Sequence, residues 1–254
     1  MRLQPLPAFD DNYIWTLADE DGRAIIVDPG QARPVLDAVD AGLQPVALLL
    51  PHHHNDHIGG VDALLERFPD LPVFAPDEPR IAQATVRVGD GDVVEVAGWR
   101  FDVIAVPGHT SSHIAFHGHG VLFSGDTLFS LGCGRMFEGT PAQMLASLDR
   151  LAALPADTQV CCGHEYTRSN AAFARAVDPD NAALRRRDQE IDDMRIASRP
   201  TLPVPLTSER DCNPFLRVDA DAVRGAAERH AGHALTDRVE VFAALRQWKD
   251  GFRA

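Results

Sequence analysis

Five potential metal ligands crowd into six residues: His52, His53, His54, Asp56 and His57. They follow directly on the apolar run Pro45-Val46-Ala47-Leu48-Leu49-Leu50, and Gly59-Gly60 opens a helical pattern behind them. The loop that leaves a strand and enters a helix is where open α/β sheets carry their sites. In an extended segment His52 and His54 point the same way, because side chains alternate there. Asp56 and His57 then turn toward a second point. Two such pairs suit two ions rather than one. Imidazole and carboxylate, with no thiolate required, suit zinc, iron or manganese. The chemistry such ions bring is hydrolysis, since they acidify water and polarise a carbonyl.

Three later segments repeat the pattern of an apolar strand ending at a ligand. Val106-Pro107-Gly108-His109, Leu122-Phe123-Ser124-Gly125-Asp126 and Val160-Cys161-Cys162-Gly163-His164 each place one where a strand meets a loop. On ligand count, His52, His54 and His109 can hold one ion, and Asp56, His57 and His164 the other. Asp126 is the natural bridge, because a carboxylate offers two oxygens to ions about 3.5–4 Å apart. Asp56 and Asp126 are therefore expected in the chemistry itself, Asp56 also steering a proton of the attacking water. Among the remaining histidines, His113 is expected as an outer partner of a ligand.

The elements that must position these residues are strand-rich up to residue 166. Asn12 to Leu17 and Ala24 to Val27 read as strands, stopped by Asp28-Pro29-Gly30. Pro34 to Ala41 fits a helix closed by Gly42, and Gly60 to Phe68 a second. Four strands are expected at Val93–Val96, Phe101–Val106, His113–Phe116 and Val121–Phe123. Thr140-Pro141 starts a helix with Met144, Leu145, Leu148 and Leu151 on one face, and a last strand spans Thr158 to Cys162. Strands then helix occur twice, which predicts an α/β fold of two sheets flanked by helices, a four-layer αββα sandwich. From residue 167 the composition turns helical, so residues 1–166 are expected as a metal-binding catalytic domain and 167–254 as a mainly helical one. Asn181 is expected to cap one helix, Arg199 to Pro205 to be extended, and Thr236 to cap the last helix. That helix carries Val241, Leu245, Trp248 and Phe252 as an apolar stripe, with Arg246 and Lys249 sharing another face.

Composition bounds the partners. The 254 residues are 45% hydrophobic and 24% charged, an ordinary globular balance. A formal net charge of -13 argues against nucleic-acid binding, and any anionic substrate needs a local basic cluster. No apolar run reaches the roughly 20 residues of a membrane span. Four cysteines without CxxC spacing suggest a reducing cytoplasm.

Longer strings narrow the reading. His52 to His57, His109, Asp126 and His164 resemble the metallo-β-lactamase fold signature. Gly125-Asp126-Thr127-Leu128-Phe129, Gly132-Cys133-Gly134-Arg135, Phe137-Glu138-Gly139-Thr140, Gly163-His164-Glu165-Tyr166-Thr167 and Asn213-Pro214-Phe215-Leu216-Arg217 resemble glyoxalase II, the hydroxyacylglutathione hydrolases. The resemblance implies hydrolysis of glutathione thioesters, chiefly S-D-lactoylglutathione, to glutathione and D-lactate, in methylglyoxal detoxification. It implies two divalent ions, zinc foremost, with iron or manganese as alternatives. It implies that Arg135, Arg246 and Lys249 hold the glycine carboxylate of glutathione and that Phe137 and Tyr166 line its site. Pro51 stands where the family usually has Thr, and Phe137 where some members have Tyr. A monomer is expected. A persulfide dioxygenase, lactonase or β-lactamase is one competing reading, but these are not expected to combine this helical tail with Arg246 and Lys249; a non-catalytic metal-binding protein is the other, but it is expected to have lost some of the seven ligands filled here.

Overall fold

The N-terminal segment Arg2–Ala8 is a strand, β1, despite Pro5 and Pro7. It lies at the edge of a sheet, where a residue without an N–H is tolerated. Its antiparallel partner is β2 (Asn12–Ala18), with Pro5 opposite Trp15 and Pro7 opposite Tyr13. The sheet continues through β3 (Arg23–Val27), β4 (Gln44–Leu49), β5 (Val73–Ala75) and β6 (Val86–Arg87). Strands β3 to β6 run parallel. Between them lie the helices α1 (Ala32–Asp40), α2 (Asn55–Ile58) and α3 (Val61–Arg67).

Every residue of β2 is buried, as a strand covered on both faces must be. Ile14, Ala18, Ala24, Ile26, Leu48 and Leu50 pack with Val35, Val61 and Leu64 of the helices. The alternate residues face a second sheet, built from β7 (Val93–Val96), β8 (Trp99–Ala105), β9 (Ile114–Gly118), β10 (Val121–Gly125) and β13 (Gln159–Cys162) in the order β7-β8-β9-β10-β13. Trp15 ties the two sheets: its Nε1 donates to the Cys162 carbonyl at 2.9 Å. Cys161 and Cys162 are buried small residues of that strand, and all four cysteines are free thiols.

The computed structural model describes residues 1–253. These fall into two compact units. The first, Met1–Ala105, Ser112–Gly125 and Cys161–His164, holds β1 to β10 and the last two residues of β13. The second comprises Val106–Ser111, Asp126–Val160 and the segment from Glu165 on. It contains a short hairpin, β11 (Leu128–Phe129) with β12 (Gly132–Cys133), then α4 (Pro141–Ala152). Helix α4 begins with a full capping box between Thr140 and Gln143. Five further helices follow: α5 (Thr167–Val177), α6 (Ala182–Ile196), α7 (Leu206–Cys212), α8 (Asp221–Ala231) and α9 (Arg238–Gly251). A short strand, β14 (Val204–Pro205), pairs with the start of β13.

Asn181 caps α6 as expected, its Oδ1 accepting from Ala183 and Leu184 N–H. The cap of α9 differs from the sequence reading. Asp237 caps it, accepting from Glu240 N–H at 2.9 Å, and Thr236 stands one residue outside. Asp and Thr are both good caps, so propensity alone does not choose between neighbours.

Candidate metal centre

In the first unit the ligand loop leaves β4 and enters α2. His52 and His57 are fully buried, and His52 Nε2 lies 3.1 Å from His54 Nδ1. His164 follows β13 and is held beside β2 by an isolated bridge to Asn12. The chain approaches itself closely here. A Cβ on Gly30 would stand 1.9 Å from the Asp56 carbonyl oxygen, so only glycine fits beneath the loop.

Asp56, His57 and His164 bring ligand atoms within 4.8 Å of one another, and so do Asp28, His52 and His57. His57 Nε2 stands 3.5 Å from Asp56 Oδ2, and His164 Nε2 stands 3.4 Å from the same oxygen. The opposite nitrogens bond outward: His57 Nδ1 to Asp28 Oδ1 and His164 Nδ1 to Asp11 Oδ1, each at 2.8 Å. Asn12 Nδ2 donates to Asp56 Oδ2 at 3.1 Å. His113, the expected outer partner, is buried and stacked on His52 with ring centres 4.6 Å apart. His53 turns away, its Nδ1 3.9 Å from Glu78 Oε2. Glu78 also accepts from Ser112 Oγ and from Arg80, and the Arg80 bonds hold its carboxyl down at about 2.

In the second unit His109 and Asp126 repeat the motif. His109 Nε2 lies 3.4 Å from Asp126 Oδ2, and its Nδ1 bonds the Arg135 carbonyl at 2.8 Å. Gly134 lets the backbones meet: a Cβ there would stand 1.9 Å from the Asp126 carbonyl oxygen. Phe137 is exposed, with its ring 5.2 Å from His109, edge to face.

A divalent metal fits this chemistry. An ionised carboxylate or a carbonyl can only accept, so each Nδ1 carries the ring proton. The Nε2 lone pair then faces a carboxylate oxygen. Acceptor against acceptor repels, and positive charge among them removes the repulsion. Imidazole with carboxylate is a donor set for zinc, iron or manganese. The outward carboxylates are the usual second ring of support behind metal-bound histidines.

The cations expected to hold a carboxylate lie in the second unit, in different settings. Arg246 is 4% exposed. Its Nη1 donates to the Cys133 carbonyl at 2.8 Å and its Nη2 to Asp250 at 3.1 Å, and the guanidinium lies over Phe215. Lys249 is half-buried over Phe173 and donates to the Ser169 carbonyl at 3.2 Å. Burial, then the neighbouring Arg246, pulls its ammonium down to about 8. Arg135 is exposed, 3.6 Å from Asp250. Tyr166 is exposed, its ring 5.3 Å from Phe129.

Several supporting residues escaped the sequence reading. Asp28 ends an apolar strand, the same signal that marked His109 and Asp126, but it reads equally as a turn. Asp11 hides in the turn Phe9-Asp10-Asp11. Glu209 carries no local signal. It is fully buried and accepts from Ser130 Oγ, Leu131 N–H and Asn213 Nδ2 at 2.7–3.0 Å. Asn213 Nδ2 also reaches the Phe129 and Gly132 carbonyls. The hairpin that carries Cys133 and leads to Arg135 is thereby pinned, with Leu131 in the left-handed region at φ 57.

The fold and the clustered ligands define a metallo-β-lactamase superfamily protein, and that family model matches residues 12–78 and 70–164. The model described as "Hydroxyacylglutathione hydrolase C-terminus" matches residues 165–252. A hydroxyacylglutathione hydrolase of Xylella fastidiosa (strain M23) is 62% identical over 252 residues, spanning 99% of this chain and 98% of its own. Among solved structures, ETHE1 from Myxococcus xanthus superposes with a TM-score of 0.59 at 28% identity, over 83% of this chain and 98% of that one. TTHA1623 in a di-iron-bound form superposes with a TM-score of 0.52 at 30% identity, over 65% of this chain and 92% of that one. The chain belongs to the hydroxyacylglutathione hydrolase family. It is a metal-dependent enzyme, and among the described residues no helix is long and apolar enough to cross a membrane.

Proposed function

We propose that this chain hydrolyses glutathione thioesters, S-D-lactoylglutathione foremost, to glutathione and D-lactate. Full-length similarity at 62% identity to a hydroxyacylglutathione hydrolase carries that reading. The ligands are His52, His54, Asp56, His57, His109, Asp126 and His164, holding two divalent ions, zinc foremost. The acceptor-to-acceptor geometry of three of those histidines supports this, as does the di-iron form of the related TTHA1623. When bound, such ions polarise the thioester carbonyl and lower the pKa of water.

The chain's own residues do the rest. Asp28 and Asp11 hold the His57 and His164 rings with Nε2 forward. Asn12 fixes one oxygen of Asp56, leaving that carboxylate to steer a proton. The leaving group is a thiolate, and a thiol pKa near 8.5 means it needs less help than an alkoxide. Arg135, Arg246 and Lys249 supply the local positive charge that a glutathione carboxylate needs on a chain of net charge -13. Phe137 and Tyr166 line the tripeptide site. The reading takes residues 1–166 as the metal-binding catalytic domain and 167–254 as a mainly helical one that contributes to the substrate site. The protein works as a monomer in the cytoplasm.

Thiol release from S-D-lactoylglutathione, measured beside oxygen uptake with glutathione persulfide, tests the reading. Hydrolysis without oxygen uptake is expected. Oxygen uptake without thioester hydrolysis would favour a persulfide dioxygenase, the activity of the first competing reading.

A further inference from the structure

The first unit's ligand cluster opens to solvent on one side. His57 and His164 are buried, but the Asp56 and Asp11 side chains are 43% and 41% exposed. Those two carboxylates form the solvent-facing rim of the cluster. The turn that joins β1 to β2, Phe9-Asp10-Asp11, forms part of that rim, since Asp11 bonds His164 directly.

Phe9 is out of place there by ordinary rules. It is 49% exposed, and its backbone sits in the left-handed region at φ 48. A bulky residue rarely adopts that conformation, because Cβ meets its own backbone. The turn is nonetheless held: Phe9 N–H donates to Gln31 Oε1 at 2.8 Å. The ring rests against Gly30. A Cβ built on Gly30 would meet Phe9 Cε2 at 3.0 Å and the Asp56 carbonyl oxygen at 1.9 Å. The Phe9 ring and the Asp56 backbone therefore crowd the same face of this glycine, which brings the ring beside the residue that carries the Asp56 carboxylate. Strain kept at a rim is a pointer to use, and a core role would have buried the ring.

We infer that Phe9 is the acyl-side wall of the substrate site and a specificity-determining residue. Its ring packs on the apolar substituent of the acyl group while the carbonyl carbon reacts beside Asp56. This rests on the thioester reading above. The ring has no polar atom, so it favours acyl groups by their apolar area and leaves a hydroxyl on the acyl carbon to other groups.

The test compares kcat/KM for the glutathione thioesters of acetate, D-lactate and D-mandelate. Phe9→Asn is the main variant, because asparagine tolerates the positive φ. The mandeloyl-to-acetyl ratio should fall roughly tenfold, the order expected when a phenyl group loses one apolar contact face. Phe9→Leu keeps a shorter apolar contact and should give a fall of about threefold, which keeps the test decisive if the asparagine variant does not fold. An equal loss on all three thioesters, or a rising ratio, overturns the inference and leaves hydrolysis standing. A parent enzyme inactive on all three overturns the thioester reading and this inference with it.

Discussion

His57 Nδ1 stands 2.8 Å from Asp28 Oδ1, and both side chains are withdrawn from solvent. The carboxylate accepts the ring proton and leaves Nε2 facing Asp56. Asp28 thus sets the tautomer without reaching the reaction. Asp28→Asn keeps the size and tolerates the residue's φ of 57, but an amide can turn its NH₂ toward the ring. Metal affinity should fall roughly 10- to 100-fold, the usual cost of losing such a partner. Competition with a chromophoric chelator reads that directly. Unchanged affinity would mean that His57 is oriented by packing alone.

Arg246 makes an internal bond to the loop that leads to Arg135, so its removal has two consequences. Arg246→Ala should raise KM for lactoylglutathione roughly 10- to 150-fold, the range of one charged hydrogen bond of about 1.5–3 kcal/mol. It should also lower stability, because the Cys133 carbonyl and Asp250 lose their donor. A truncated thioester lacking the glycine carboxylate separates the two. It should react poorly with the parent and lose little more in the variant. Equal losses on both substrates would assign Arg246 to the loop alone.

Lys249 gives the pH dependence a definite sign. Its folded value of about 8 lies below the ordinary 10.5. Below pH 8 the ammonium is charged and can hold a carboxylate; above it the charge is lost. Inhibition by glutathione should therefore weaken as pH climbs from 8 to 10, and Lys249→Met should flatten that slope. The same shift makes folding stability rise between pH 8 and 10.5, because there the unfolded lysine holds a proton that the folded one has shed. Glutathione affinity that stays level across this range in the parent would remove Lys249 from the site.

Glu209 pins the β11–β12 hairpin from within the helical segment. Burial pushes its carboxyl pKa up, and three donors converge on it. Glu209→Ala leaves Leu131 N–H and Ser130 Oγ without that acceptor. A loss of roughly 2–4 kcal/mol in urea unfolding is expected. A cost below about 0.5 kcal/mol would mean that the hairpin holds itself.

The candidate ligands were legible because each follows an apolar run and a turn, a local pattern that tertiary packing then uses. The strands β2, β3, β4 and β10 were legible for the same reason. Strand β1 was not, since Pro5 and Pro7 argue against a strand unless its edge position is known. Helix α7 was hidden beside the proline-rich connector, and β11–β12 is too short to show periodicity. The partners of the ligands were dark for a different reason. Asp11 and His164 are 153 residues apart, and Glu209 meets Leu131 across 78, so only folding brings them together. Burial of Arg246 also lay beyond helical spacing, which shows a shared face but not what covers it.

Metal titration against turnover decides whether hydrolysis by this chain depends on two bound ions. Protein stripped with a chelator should hydrolyse S-D-lactoylglutathione at a small fraction of its original rate. Zinc, iron or manganese added back should restore the rate, with elemental analysis rising toward two ions per chain as activity saturates. Asp126→Ala should lower both occupancy and the maximal rate. Full hydrolysis by the stripped protein, or full activity with one tightly held ion, would contradict the account.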